Sequence, residues 1–261
     1  MADKKILLSV VLATYNEERN LARCLESVSR LADEIIVVDG KSTDKTVDIA
    51  RQYHAQVYSA DNKPNFHINK NMAIDAAGGD WILQLDADEV VSPPLAEEIA
   101  GVISQPGQLA GYWIPRLNYF LGSPLTKGGQ YPDLTLRLYK RGLGRLPAKD
   151  VHEQAEVNGP TEYLKNNLLH YNTPDFENYL LRYQRYTSLI ADQLRTENIP
   201  VGSWQAVDYL FIKPFSEFFS IYVRHRGYAD GFPGFVFALF SGLRWGISYI
   251  KYWQISRYPD E

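Results

Sequence analysis

The sequence predicts an α/β fold, a mostly parallel sheet covered by helices, followed by an aromatic-rich helical C-terminal region. Three observations carry that expectation. Short apolar runs alternate with helix-like stretches through the first hundred residues. Acidic and amide-rich clusters close the apolar runs at residues 14–17, 39–44 and 86–89. Of the 34 aromatic residues, 16 fall between Trp204 and Trp253.

Residues 6–13 form a continuous apolar run of strand length, as expected of a strand covered on both faces. Asn16 with Glu17 and Glu18 predicts a helix start, acidic groups complementing the helix dipole, and Leu21, Leu25 and Val28 supply its apolar stripe. Residues 35–38 predict a second buried strand, 46–53 a helix, 56–59 a short strand, 66–77 a helix closed by Gly78-Gly79, and 81–85 the next strand. Ser92-Pro93-Pro94 opens a further helix through Ser104, with serine as cap and proline in the first turn. In such a sheet, ligands sit beyond the carboxyl ends of the strands, where the three polar clusters lie. Beyond Gln105, strands are expected at 112–117 and 134–139, flanking a Gly/Pro-rich stretch at 122–132 that reads as a binding loop. Helices are expected at 175–195 and 204–222, the latter kinked or delayed by Pro214.

The domain organisation read from these patterns is a ligand-binding half at 1–105, a further part of the same domain at 106–175, and a helical C-terminal region at 176–261. The chain has 261 residues, 45% hydrophobic and 22% charged, enough to bury a core and too apolar for disorder. A net charge of −4 argues against a nucleic-acid partner. The single cysteine, Cys24, excludes an internal disulfide framework and fits a reducing compartment. The short apolar run near the start is too brief for a signal peptide or membrane span, so a cytoplasmic location is expected.

Asp86-Ala87-Asp88 carries the strongest chemical signal. Two carboxylates just beyond an apolar strand need a counter-charge in a cleft, and Mg²⁺ or Mn²⁺ supplies it through hard oxygen ligands shared with phosphates. The plain alternative is a solvated acidic turn. Neither a Gly-x-Gly-x-x-Gly nor a Gly-x-x-x-x-Gly-Lys-Ser/Thr loop is present, so bound phosphates would rely on a metal held by carboxylates. Asp39 could accept from a base imide or a ribose hydroxyl, or simply cap the turn before the helix at residue 46.

Ser9-Val-Val-Leu-Ala-Thr-Tyr-Asn-Glu, Val38-Asp-Gly-Lys-Ser-Thr-Asp-Lys-Thr and Gln84-Leu-Asp-Ala-Asp-Glu resemble the three successive signatures of family 2 glycosyltransferases of the GT-A fold. Gly129-Gln-Tyr-Pro-Asp-Leu-Thr-Leu-Arg-Leu-Tyr, Asp150-Val-His-Glu and Gly227-Tyr-Ala-Asp-Gly-Phe-Pro-Gly resemble, more loosely, the lipopolysaccharide core glucosyltransferase subgroup. The resemblance implies inverting transfer of a hexose from a nucleoside-diphosphate sugar, UDP-linked, to a saccharide or lipid-linked acceptor, with 106–175 as the acceptor-side part of the domain. It implies that Thr14, Tyr15, Asn16, Glu17 and Asp39 hold the nucleoside, that Asp86 contacts the ribose or the metal shell, and that Asp88 ligates the metal. Lys70 and Asn71 are candidates for a phosphate or sugar contact, though Lys70 also reads as a solvated helix residue. Arg137 is either a diphosphate contact or a structural strand arginine.

Inversion by direct displacement needs a base for the acceptor hydroxyl. Glu153 is the first candidate, then Asp150, with Asp133 and Glu89 behind. His152 is a candidate metal ligand or diphosphate donor, and equally a structural histidine. Residues 213–257 carry six basic against two acidic residues, leaving 21 against 29 elsewhere. Between Gly234 and Trp253, Ser241, Arg244, Ser248 and Lys251 share one narrow polar stripe, so this helix is expected either at a membrane surface or buried against 204–222 or in a homodimer. Alternative acceptors are a polyprenyl phosphate or a protein. A catalytically silent nucleotide-sugar binding subunit and a nucleotidyltransferase are the other classes.

Overall fold

The computed structural model describes residues 7–63, 65–105, 107–147, 154–173 and 175–258. The chain divides into two compact units, Met1–Arg116 with Asp133–His170, and Leu117–Pro132 with Tyr171–Glu261. The segment 106–175 is therefore shared between them.

The first unit alternates β1 (Leu8–Thr14), α1 (Leu21–Val28), β2 (Glu34–Asp39), α2 (Thr46–Gln52), β3 (Gln56–Ser59), α3 (His67–Ala76), β4 (Trp81–Leu85), β5 (Glu89–Val91) and α4 (Pro93–Ile103). It continues through β6 (Gly111–Phe120), β8 (Asp133–Lys140), β9 (Gly144–Arg145), β10 (Glu156–Val157), β11 (Thr161–Tyr163) and β12 (Leu168–Thr173), the unit boundary cutting β6 and β12, while β7 (Ser123–Pro124) falls in the second unit. The sheet order is β3-β2-β1-β4-β8-β6-β12-β5. Strands β3, β2, β1 and β4 run parallel, while β8 joins β4 antiparallel. Side chains alternate along β1 as a two-faced strand requires. Leu8, Val10 and Leu12 pack with Leu21, Leu25 and Val28 of α1 and Leu95 and Ile99 of α4. Val11 faces Ala73 and Ile74 of α3 with Ile36 and Ile82. Ser92 caps α4 as the sequence suggests, its hydroxyl accepting from the Leu95 amide.

One predicted boundary is corrected. The helix does not start at Asn16, which adopts a left-handed φ of 56°; α1 begins at Leu21. The reason is competition from the neighbouring loop. The Asn16 amide donates to Ser42 Oγ (2.8 Å), the Glu17 amide to Thr46 Oγ1 (2.7 Å) and the Glu18 amide to Asp44 Oδ2 (3.1 Å). In return Thr43 N donates to Asn16 Oδ1 and Lys45 N to Glu18 Oε2. These groups are spent between two loops and not on an earlier helical turn.

The second unit contains α5 (Phe176–Thr196), α6 (Ser203–Val207), α7 (Lys213–Phe219) and α8 (Gly231–Arg257). Asp175 caps α5. Two π-helical turns, Asp208–Ile212 and Ser220–Arg224, join α6 and α7 into one helical run over 203–224. Pro214 sits in the first turn of α7. Helix α8 packs on α5 and α7. Its approach to α7 requires Gly242, where a Cβ would stand 2.5 Å from the Pro214 carbonyl oxygen.

Of the alternatives expected for α8, the contacts of its polar stripe match packing against the run 203–224 and α5. Ser241 and Ser248 are buried, Arg244 pairs with Glu217 at 2.9 Å, and Lys251 donates to Gln184 O, Thr187 Oγ1 and Ser188 Oγ. The Gly/Pro-rich stretch at 122–132 is anchored too. Asp230 accepts from the Thr126 amide and hydroxyl and from the Lys127 amide, and the Gly128 amide donates to His225 O. No helix among the described residues is long and apolar enough to cross a membrane.

Candidate active site

Parallel register brings the carboxyl ends of three strands level. Thr14 pairs with Asp39, and Leu12 with Leu85, so the segments after β1, β2 and β4 open at one edge. Asp39 is buried; its carboxylate accepts from Thr14 Oγ1 (3.1 Å), Ser42 Oγ (2.6 Å) and the Ser42 amide (2.8 Å). Tyr15 beside it is exposed. Glu17 accepts from Asn20 Nδ2. The structure thus groups Thr14, Tyr15, Asn16, Glu17 and Asp39 as the sequence places them, with Asp39 building the turn that shapes the edge.

Asp86 is flanked by cations. One carboxylate oxygen pairs with Lys70 Nζ and the other accepts from Arg137 Nη2 at 2.6 Å. Lys70 is buried on α3 with its ammonium 4.7 Å from the centre of the Phe66 ring, not solvated. Burial alone would raise the Asp86 carboxyl, but Arg137 and Lys70 overcome it and hold the group far below the usual carboxylate range. Burial works against the Arg137 cation as well, and Asp86 and Glu89 more than compensate.

Glu89 was not expected to organise the site, yet it is wholly buried beneath it. Its Oε1 accepts from Arg137 Nη2 (2.8 Å) and Arg116 Nη1 (3.3 Å), and its Oε2 accepts from the Asp86 amide (2.9 Å). Arg116 in turn binds Asp133 through Nε and Nη2. Lys70, Asp86, Arg137, Glu89, Arg116 and Asp133 therefore form a chain of alternating charge. Glu89 and Asp133, named as reserve bases, are committed to these arginines. A base needs reach to the acceptor hydroxyl, and Glu89 has none.

A cavity of about 190 Å³ opens on this chain, lined among others by Lys70, Gln84, Asp86, Arg116 and Arg137. Arg137 Nε and Gln84 Nε2 are buried there without a hydrogen-bond partner among the described residues. Buried donors of that kind suit an oxygen-rich ligand. Asn71 is spent elsewhere: its side chain binds both the amide and the carbonyl of Leu146 (3.1 and 2.9 Å).

Asp88 lies 3.6 Å from His170 Nε2 on β12. Antiparallel pairing of β12 with β5 sets His170 opposite Glu89 and produces this contact. A carboxylate and an imidazole side by side fit a divalent cation whose remaining positions are filled by water and phosphate oxygens. Among the described residues no group of three or more His, Cys, Asp or Glu forms a self-sufficient metal cage. Asp150, His152 and Glu153 lie outside the described residues.

Residues 9–133 match the family profile described as Glycosyl transferase family 2. The match spans 125 of the 261 residues and places family 2 glycosyltransferase similarity in residues 9–133. The chain is a glycosyltransferase, and its relatives agree. It is 27% identical over 241 residues to the lipopolysaccharide core biosynthesis glycosyltransferase LpsC of Rhizobium meliloti, covering 90% of this chain and 87% of that one. It is 28% identical over 245 residues to an uncharacterized glycosyltransferase of Rickettsia typhi, covering 88% and 80%. Among solved structures, the mannosyltransferase PcManGT of Pyrobaculum calidifontis, in complex with GDP-Man and Mn²⁺, superposes with a TM-score of 0.52 at 14% identity, covering 96% of this chain and 88% of that one. The fold of this glycosyltransferase is accordingly of the GT-A type, an α/β sheet with aromatic-rich C-terminal helices.

Sequence reasoning did not single out Arg116 or His170. Arg116 sits in a strand of mixed character and His170 in an apolar one, and each becomes informative only through partners distant along the chain.

Proposed function

We propose that this glycosyltransferase moves a hexose, with inversion, from a UDP-linked donor to a saccharide acceptor carried on a lipid, of the lipopolysaccharide core type, at the inner face of a membrane. The observation that carries the reading is the pairing of Asp86 with Lys70 and Arg137 beside Asp88 and His170, at the edge where β1, β2 and β4 end. The similarity to LpsC, a lipopolysaccharide core biosynthesis glycosyltransferase, supports the acceptor class, and the GDP-Man and Mn²⁺ of PcManGT support a metal-assisted nucleoside-diphosphate donor.

In this reading Thr14, Tyr15, Asn16, Glu17 and Asp39 hold the nucleoside. Asp88 and His170 would hold Mg²⁺ or Mn²⁺, with Asp86 in its outer shell, and the ion would supply positive charge against the leaving diphosphate. Lys70 and Arg137 supply fixed positive charge on the same side, and Asp86 and Glu89 keep them oriented before substrate arrives. Displacement from the opposite face needs a carboxylate to take the acceptor proton, and Glu153 is assigned that role, with Asp150 next and His152 a further candidate ligand.

The test is transfer from UDP-sugars to core saccharides with Mn²⁺, Mg²⁺ or excess chelator, the product anomer being read by NMR. Inversion and metal-dependent turnover are expected. Full turnover in chelator, or retention of configuration, overturns the mechanism.

A further inference from the structure

We infer that the outward face of the helical run 203–224 docks on an anionic lipid bilayer, seating at its interface. The inference rests on the lipid-linked acceptor reading above and names the surface that meets the lipid.

The run has one packed side and one unpacked side. On the packed side Tyr209 stacks on Tyr249 of α8 with ring centroids 5.2 Å apart, Phe218 meets Phe235 edge-on at 6.0 Å, and Ile221 is buried. On the other side Trp204, Val207, Phe211, Ile212, Phe215, Phe219 and Val223 are all exposed at spacings of three and four residues. Trp204, Phe211 and Phe215 are 68%, 67% and 70% accessible, values that leave whole rings in water. Isolated exposed apolar residues need no explanation, but a continuous stripe along about five turns does. Leu239 and Leu243 of α8 extend it, lining with Phe211, Phe215 and Phe218 an apolar groove of about 670 Å³.

Charge decides the occupant. The two acidic residues of the run are neutralised at home, Asp208 by Lys213 at 3.4 Å and Glu217 by Arg244 at 2.9 Å. At the C-terminal end Arg224, His225 and Arg226 are exposed, and neither arginine has an ion-pair partner among the described residues. An apolar stripe of aromatic rings ending in unneutralised arginines matches a headgroup region, where rings sit at the acyl boundary and guanidinium groups meet anionic phosphates. A second copy of this chain would cover the apolar stripe but bring a like basic end, which anionic headgroups neutralise instead.

The experiment uses the full chain and sedimentation with phosphatidylethanolamine vesicles, with and without phosphatidylglycerol. The wild type is expected to co-sediment, more strongly with phosphatidylglycerol and less in high salt. Replacing Phe211, Phe215 and Phe219 together by Ser is expected to lower the partition by about tenfold or more. Arg224→Gln with Arg226→Gln is expected to abolish the phosphatidylglycerol dependence while leaving the apolar stripe intact. Thermal melting of each variant checks folding, and analytical ultracentrifugation reads the oligomeric state. Unchanged partition of both folded variants overturns the inference. So does a wild-type dimer that the triple serine variant dissociates without any loss of vesicle binding. UDP-sugar hydrolysis is scored in parallel without vesicles: its absence in the wild type would sink the functional reading and leave the vesicle result standing on its own.

Discussion

Asp86 and Arg137 meet at 2.6 Å, and the same guanidinium nitrogen reaches Glu89 at 2.8 Å. One arginine thus bridges the carboxylate that faces the candidate donor site and the carboxylate sealed beneath it. The pair is held from both sides, because Lys70 takes the remaining oxygen of Asp86 and Arg116 shares Glu89.

This arrangement fixes a pH dependence. The folded state holds the Asp86 carboxyl well below its ordinary value of 3.8, so the unfolded chain binds the proton first as pH falls. The stabilisation from Asp86 is therefore complete above the ordinary carboxylate range and drains away as pH drops below it. Chemical denaturation from the ordinary Asp pKa of 3.8 downward should show a steep acid loss in the wild type, with little contribution from Asp86 between neutral pH and that value. The loss should be shallower in Asp86→Asn.

Glu89→Leu should destabilise the fold by about 3–5 kcal/mol, because buried Arg137 and half-buried Arg116 would each lose a partner. Glu89→Gln keeps an acceptor and should cost less. If Glu89 orients Arg137, Glu89→Gln will lower kcat more than it raises the donor KM, which a purely structural role would not do.

Asp88→Ala and His170→Ala should each weaken Mn²⁺ activation by about a hundredfold or more, the scale at which changes around a metal site act. Melting temperatures measured without metal should move little, and Mn²⁺-induced stabilisation should vanish in both. A His170→Ala enzyme with wild-type Mn²⁺ dependence would remove that residue from the metal site.

Glu153→Gln should abolish transfer while UDP still raises the melting temperature, because a base acts in the chemical step and not in donor binding. Transfer at near wild-type rate would pass the role to Asp150.

Gly242→Val should cost about 1–3 kcal/mol or more, since its side chain would collide with the Pro214 carbonyl where α8 crosses α7. Circular dichroism melting reads the effect, and UDP binding should survive in whatever fraction stays folded.

The half of the fold built from local patterns was legible. Apolar runs at β1, β2 and β4, the cap at Ser92 and the polar clusters at the strand ends are each written within a few consecutive residues. What stayed hidden depends on pairings between distant segments. His170 reaches Asp88 only because β12 returns antiparallel to β5, and Asn71 is consumed by Leu146 across 75 positions of sequence. Lys70 reads as a surface lysine until Asp86 is placed against it. The α8 stripe was visible as a stripe, but its direction was not, because a polar row can face water or a polar neighbour equally well; here it meets Gln184, Thr187, Ser188 and Glu217.

The interlocked loops after β1 and β2 have an evolutionary consequence. Asn16, Glu17 and Glu18 on one side and Ser42 to Thr46 on the other satisfy each other's backbone groups, so neither segment holds its shape alone. A chimera that imports only one of the two from a relative would inherit unmatched amides at the edge where β1 and β2 end. The two segments should be exchanged, and should drift, as a single cassette.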